Sequence, residues 1–387
     1  MRKYMTSYRA IILGAAAFAA ASACAATVVD VTGAGAAKKS VSINVDDAEY
    51  AKCLKKNLEI SGLFVVQKSG AVKVTGSPRG ASVHVDGPGR ALNSNEAVTD
   101  AKSARMAARR LADAICETYG GQKGFALDRI AFINRKGSDN AELCVAYPDG
   151  CDIRQLTGDA RAALGPRWKN ANEIFYVSYR ENSPQIYTMD IAASTRKPVW
   201  PKGIRGLSSP AVVSPDGSKI AIVASFQGNP DLYVLSGSRF TRLTNTPLAS
   251  EGCPSWSPDG KKIVYVSDES RRQHLYIIDV ATKQTRRLTS KGRDNVEPDW
   301  GRDGRIAYIT KRGGSQIAII DPAEGESSTV LVTEPGSWEH PSWSRDMRHV
   351  VASRDKALFL VDTLPDGDAP RQVFHANGNW IDPTWSR

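Results

Sequence analysis

The sequence predicts a small α+β domain followed by a six-bladed all-β propeller, the ring closed by the C-terminal strand. Three observations predict it: a long-period repeat in the second part, the way the two ends of that repeat complement each other, and mixed helical and strand periods in the first part.

The repeat is carried by Pro166-Arg167-Trp168, Pro210-Ala211-Val212, Pro254-Ser255-Trp256, Pro298-Asp299-Trp300, Pro341-Ser342-Trp343 and Pro383-Thr384-Trp385. Successive prolines are 44, 44, 44, 43 and 42 residues apart. Turn formers follow, as in Ser214-Pro215-Asp216-Gly217 and Ser257-Pro258-Asp259-Gly260, with weaker copies at Asp303 and Asp346. These aspartates read as turn residues, whose side chains bond nearby backbone amides. Apolar strands come next, such as Ile263-Val264-Tyr265-Val266 and Leu275-Tyr276-Ile277-Ile278. Four short strands per repeat of this length form a propeller blade. Trp168, Trp256, Trp300, Trp343 and Trp385 read as packing between blades.

The ends set the blade number. The last anchor, Pro383-Thr384-Trp385, has no strands after it, whereas Ile130 to Thr157 offers three strands with no anchor before them. Joining the two completes a sixth blade and removes the free edges of an open ring.

In the first part, Val41 to Val45 reads as a strand, and Asp46 or Asp47 caps a helix running to Ile60, ended by Gly62. Phe64-Val65-Val66 is a strand, and Val72 to Val85 holds two more. Asp100 caps a longer helix with Ala108, Leu111, Ala112, Ile115 and Tyr119 on one face, closed by Gly120-Gly121. The expected division is 1–25 signal peptide, 26–35 mobile segment, 36–120 α+β domain, 121–128 linker and 129–387 propeller.

The signal peptide rests on Arg2 and Lys3 before the apolar run Ala10 to Ala20, then the small residues Ala21-Ser22-Ala23-Cys24-Ala25. Two readings of Cys24 stand: ordinary cleavage beside it, or lipidation at a lipobox-like Ala21-Ser22-Ala23-Cys24. Export would deliver the chain to an oxidising environment. There Cys144 with Cys151, flanking Tyr147-Pro148-Asp149-Gly150, and Cys53 with Cys116, on the two helices, are candidate disulfides. The competing reading is that each thiol is a small buried hydrophobe. Cys253 is left over.

Charge and composition exclude several classes. The 51 Lys+Arg and 41 Asp+Glu give +10, and removing Arg2, Lys3 and Arg9 leaves +7, a modest surplus without the aromatic-laced basic stripe of a nucleic-acid binder. The five histidines, His84, His274, His340, His349 and His375, have no metal-ligand spacing. No Gly-x-Ser-x-Gly pentapeptide, phosphate loop or dinucleotide fingerprint occurs. A non-enzymatic monomer is expected. Paired carboxylates at a channel mouth keep a propeller lyase or glycosidase as an alternative.

The anchor proline opens each innermost strand, so the residues just before it belong at the channel mouth. These are Glu251, Cys253, Asn295, Glu297, Glu339, His340 and Asp382, with Trp338 and Trp380 nearby as aromatic anchors. Aromatics within a charged rim suit a protein partner. The bland alternative is solvated loop residues. Converging carboxylates there would also suit calcium, the one cofactor considered.

Three stretches resemble the TolB family of the Tol–Pal system: Leu54 to Phe64 (LKKNLEISGLF), Ala108 to Ile133 (ARRLADAICETYGGQKGFALDRIAFI) and the Pro-x-Trp-Ser-Pro-Asp-Gly repeat. The resemblance implies a periplasmic adaptor supporting outer-membrane integrity, cell division and protein import. It implies that a Pal-like lipoprotein docks on the propeller face. It further implies that a TolA-like inner-membrane protein takes the N-terminal segment Thr27-Val28-Val29-Asp30-Val31-Thr32. That alternating stretch is suited to adding a strand to a partner's sheet. The alternative is a cell-envelope propeller that binds some other protein or a glycan.

Overall fold

The computed structural model describes residues 37–137, 139–199, 211–226, 228–374 and 378–386. The signal peptide, Cys24, the segment 26–35 with Thr27 to Thr32, Pro210 and His375 lie outside the described residues.

The first part is a five-stranded sheet carrying two helices. Strand β1 (Lys39–Val45) leads into helix α1 (Ala48–Ile60), capped by Asp47, whose side chain accepts from the Tyr50 amide. Strands β2 (Phe64–Val66), β3 (Val72–Ser77), β4 (Ser82–Asp86) and β5 (Leu92–Ser94) complete the sheet in the order β2-β1-β3-β4-β5. Both neighbours of β1 run parallel to it, and the remaining pairs are antiparallel. Helix α2 (Ala101–Ile115) starts with a reciprocal cap between Asp100 and Ser103 and continues as a π-helical turn over Cys116–Gly120. Leu54, Leu58, Ala108, Leu111 and Ile115 pack on Val41, Phe64, Val74 and Val85 to form this part's core. Strand β5 was not expected from the sequence: its three residues carry no alternating apolar signal, and it is held by pairing with β4.

Six four-stranded sheets follow, one per blade. Blade 1 comprises Ala163–Trp168, Glu173–Ser178, Gln185–Asp190 and Thr195–Pro198. Blade 2 comprises Val212–Val213, Lys219–Ala224, Asp231–Ser236 and Arg239–Arg242. Blade 3 comprises Glu251–Trp256, Lys262–Ser267, His274–Asp279 and Thr285–Arg287. Blade 4 comprises Asn295–Trp300, Ile306–Lys311, Ser315–Ile320 and Val330–Leu331. Blade 5 comprises Glu339–Trp343, His349–Arg354, Ala357–Asp362 and Arg371–Gln372. Blade 6 takes its innermost strand, Trp380–Trp385, from the end of the sequence, and the other three, Ile130–Arg135, Ala141–Ala146 and Arg154–Gln155, from the start of the ring. The closure expected from the repeat is therefore present, with Trp385 paired to Ile130 and Trp380 to Asn134.

The middle strands are buried on both faces because each blade is sandwiched between two others. Sequences such as Ile306-Ala307-Tyr308-Ile309 are accordingly apolar throughout rather than alternating. Side chains of the innermost strands stitch blade to blade. The Ser255 Oγ accepts from the Trp300 amide at 2.9 Å, Asp299 from the Trp343 amide at 2.8 Å, and Ser342 from the Trp385 amide at 3.1 Å. Trp256, Trp300, Trp343 and Trp385 are buried and Trp168 half-buried, as packing residues should be. In the turns, Asp259 accepts from the Ser257 hydroxyl at 2.6 Å and the Lys261 amide at 3.1 Å, and Asp216 repeats the pattern with Ser214 and Ser218.

The two parts meet on blades 5 and 6, at the end of the ring where innermost strands finish. Arg109 of α2 reaches the turn after Ala141–Ala146 and bonds Asp149 through two nitrogens at 2.8 and 3.0 Å, both side chains fully buried. Asn57 adds a third donor to Asp149 at 3.1 Å, and the Arg109 guanidinium lies 3.8 Å from the Tyr147 ring centre. Gly150, at φ 74, sits so close to the Val373 carbonyl that a Cβ would come within 2.1 Å of it, so this turn requires glycine. On blade 5, Arg348 bonds Asp362 at 2.6 Å and reaches the Gly62 carbonyl, while Arg371 reaches the Glu59 carbonyl. The connecting segment is fastened too. Phe125 packs edge-on to Trp385, Asp113 accepts from the amides of Ala126 and Leu127, and Asp128 accepts from the Trp385 indole at 3.0 Å.

The five described cysteines are free thiols, so neither Cys144–Cys151 nor Cys53–Cys116 is bridged. Their surroundings differ: Cys53 donates to Asp149, whereas Cys116 is buried beside Ser61 and Asp113. Cys144 is in the core of the closing blades, and Cys151 is half-exposed in the turn beyond it. Burial pushes the Cys116 and Cys144 thiols up to about 12, which keeps them protonated and inert.

Candidate partner-docking face

In blades 1, 3, 4, 5 and 6 the innermost strand carries a bulge immediately before its proline. Cys253, Glu297, His340 and Asp382 all take φ values near +50°, as does Gly165 in blade 1. The pairing register shifts at the same points, between Gly252 and Ser255 and between Val296 and Asp299, for example. The left-handed conformation is costly for residues with a Cβ, by about 1–2 kcal/mol each, so its repetition in four blades marks a built feature. The bulge brings these side chains together across blade boundaries.

There they bond to one another. The His340 ring lies between two carboxylates, with Nδ1 3.1 Å from Asp382 and Nε2 3.4 Å from Glu297. The contact to Asp382 has ion-pair distance but not hydrogen-bond alignment. Glu297 also accepts from the His340 amide at 2.6 Å, and Asp382 from the Gly165 amide at 3.3 Å. Cys253, next along, has its thiol raised to about 11 by burial and by the nearby Glu297 charge. Glu297 and Asp382 thus tie blades 4, 5, 6 and 1 together around the channel. A cavity of 720 Å³ continues from Glu297 and His340 toward the turns at the opposite end, lined by Arg167, Trp168, Trp256 and Trp300 among others.

The remaining residues expected at the mouth are placed differently from expectation. Glu251 is buried, accepting from Thr246 at 2.7 Å and Ser267 at 3.2 Å, and burial raises its carboxyl. Asn295 is buried as well, donating to the Lys291 carbonyl and contacting His274. Trp338 and Trp380 are not exposed anchors. Trp338 is 1% exposed and packs edge-on against Phe359; Trp380 is 7% exposed and packs against Phe132 and Phe374. Large rings next to the bulge fill the gap between blades, where burying them stabilises more than display to solvent would. Of the residues expected at the mouth, Glu339 alone is openly exposed, with partial desolvation still raising its carboxyl. Among the described residues, no three His, Cys, Asp or Glu side chains are grouped to hold a metal ion, calcium included. No described helix is long and apolar enough to cross a membrane.

Sequence reasoning missed the exposed apolar groups at the same end of the ring. Leu248 is 98% exposed and Phe226 39%. Both lie in connections between strands, where an apolar residue among turn formers (Thr246-Pro247-Leu248-Ala249-Ser250) was the available signal.

Known proteins resemble this chain over both parts. The family model described as the TolB beta propeller domain (PD40) matches residues 116–387. The Tol-Pal system protein TolB of Francisella tularensis subsp. tularensis (strain WY96-3418) is 27% identical over 301 residues, covering 73% of this chain and 69% of that one. Its counterpart in subsp. mediasiatica (strain FSC147) gives the same figures. Among solved structures, TolB from Acinetobacter baumannii superimposes with a TM-score of 0.77 at 23% identity, covering 90% of this chain and 96% of that one. A putative TolB from Agrobacterium tumefaciens superimposes with a TM-score of 0.53 at 19% identity, covering 66% and 92%. At these identities the structural likeness establishes the fold.

Proposed function

The chain belongs to the TolB β-propeller family, and from that premise we propose that it is a non-enzymatic, periplasmic adaptor of a Tol–Pal-type cell-envelope system. In this reading the propeller docks a Pal-like lipoprotein. The N-terminal segment Thr27 to Thr32 adds a strand to a TolA-like inner-membrane protein. Outer-membrane integrity and cell division are the processes such a link would support.

The observation that carries the reading is an asymmetry of the ring. One end is occupied by the α+β domain through Arg109–Asp149 and Arg348–Asp362. The other end, where the innermost strands begin, keeps its turns exposed, with Leu248, Phe226 and Glu339 among them. A closed ring has no free strand edge to lend along its channel, so a partner meets loops and side chains there. Glu297 and Asp382 are both engaged with His340, an arrangement that favours holding the ring together over glycoside chemistry at those two carboxylates.

Calorimetric titration with the soluble domain of a Pal-like lipoprotein from the same source tests this. Saturable one-to-one binding is expected, with an affinity that changes when residues 27–32 are removed. Binding indifferent to that removal keeps the adaptor and discards the N-terminal coupling. No binding moves the chain to the alternative, an envelope propeller with another protein or glycan as ligand.

A further inference from the structure

We infer that the docking surface is the outer rim of blades 2, 3 and 4 at the end where innermost strands begin, and that it receives an acidic protein segment bearing an apolar side chain. This rests on the adaptor reading and names a part of the propeller face, beside the channel mouth, that would perform it.

The rim is built around Leu248. Its turn is closed by the Ala249 amide donating to the Thr246 carbonyl at 3.2 Å. The turn is held from both sides. Asn229, in the turn of blade 2 that carries Phe226, donates to the Pro247 carbonyl at 2.6 Å, and the Ser250 amide donates to Asp268 of the blade 3 turn at 2.8 Å. A leucine that is 98% exposed on a backbone so fastened is a pre-set protrusion, which lowers the ordering cost of binding. Single exposed leucines are common and would carry nothing alone. Phe226, in the blade 2 turn whose Asn229 holds the Leu248 turn, is a second exposed apolar side chain, its ring edge-on to Tyr233 and Phe240 with ring centres 4.8 and 6.1 Å away.

Charge defines the rest. Arg271 and Arg272 project from the blade 3 turn adjoining Leu248, exposed and without an ion pair among the described residues. Arg312 stands likewise on the blade 4 turn, which the Arg293 amide joins through the Lys311 carbonyl at 3.0 Å. The carboxylates on the same rim are engaged: Asp268 with the Ser250 amide, Asp294 beside Arg293, and Glu326 with the Ser290 and Lys291 amides. Glu269 and Glu334, both exposed, are the exceptions. Guanidiniums left open beside bonded carboxylates complement acidic groups, which they grip in bidentate fashion. Inside the mouth, Glu297 and Asp382 already accept from the His340 and Gly165 amides. The apolar element consists of one exposed leucine and two half-covered phenylalanines, Phe226 and Phe240. That is small for holding a lipid surface but sufficient as the anchor of a protein hot spot ringed by arginine.

The test uses the full mature chain, the soluble domain of the Pal-like lipoprotein, and two variants, Leu248→Asp and Arg271→Glu with Arg272→Glu. All the altered side chains are exposed, and thermal unfolding verifies that the fold is kept. Each variant is expected to bind at least about tenfold more weakly, and the double charge reversal to flatten the salt dependence. Normal binding by the parent and, within about twofold, by both variants overturns the rim and leaves the adaptor reading standing. Failure of the parent to bind overturns the adaptor reading and this inference with it. Leu248-dependent sedimentation with phosphatidylglycerol vesicles, alongside lipoprotein binding that ignores Leu248, assigns the rim to a lipid surface and overturns the inference.

Discussion

The two ends of the propeller treat charge in opposite ways. Where the innermost strands finish, arginines are buried or half-buried against carboxylates: Arg109 with Asp149, Arg348 with Asp362, and Arg105 with Asp152 and Glu49. Where they begin, Arg271, Arg272 and Arg312 stand in solvent beside an exposed leucine. The same residue type is structural at one end and available at the other. The difference teaches that the α+β domain occupies one end of the ring from within the chain, while the opposite end presents charged and apolar side chains to solvent.

The largest effect expected is on ring closure. Deleting residues 380–386 removes the innermost strand of blade 6 and the indole that Asp128 and Phe125 grip, so the whole ring should lose its cooperative transition. The loss should exceed the ~3–5 kcal/mol of a single buried tryptophan truncation. Circular dichroism melting checks it, and a midpoint unchanged from the parent would show one end merely fraying. Next comes the occupied end. Arg109→Ala strands a buried Asp149 and should lower stability by about 3–5 kcal/mol in urea unfolding. A loss near zero would break the claim that the two ends differ in kind.

Asp128 sharpens the comparison through pH. Burial pushes its carboxyl up to about 7, against the opposing pull of Arg345. The folded state therefore retains a proton that the unfolded chain releases near 3.8. Its contribution is full below that value and is lost as pH rises through about 7. Between those limits the parent should lose stability relative to Asp128→Asn, on the order of 1 kcal/mol per pH unit. Parallel pH–stability curves for the two proteins would contradict it. At the open end the smallest effect is expected. Leu248→Ser should leave unfolding within about 0.5 kcal/mol of the parent. A drop beyond that would mean Leu248 packs against something in its own chain.

Much of the fold was legible because its cause is periodic. The Pro-x-Trp spacing, the turn aspartates and the unmatched strands at the two ends of the repeat follow directly from blade geometry, and the start of α1 at Asp46 or Asp47, the latter being the cap, follows from capping chemistry. The candidate site was less legible. A position just before Pro254 or Pro298 reads as a mouth residue, but nothing in the sequence shows that Glu251 will be roofed by Thr246 and Ser267. Nor does it show that Trp338 will turn inward onto Phe359. The Arg109–Asp149 pair joins residues 40 apart in different folds, beyond any local pattern. Leu248 escaped because it belongs to no strand period, which is also why it is exposed.

The most direct test of the account is hydrogen exchange of the chain alone and saturated with the lipoprotein's soluble domain. Slowed exchange confined to residues 246–250, 268–273 and 312–314, with α1, α2 and the Tyr147 to Asp152 turn unchanged, is the predicted result. Protection on α1 and α2 with the Leu248 turn unaltered would place the partner at the occupied end and contradict it.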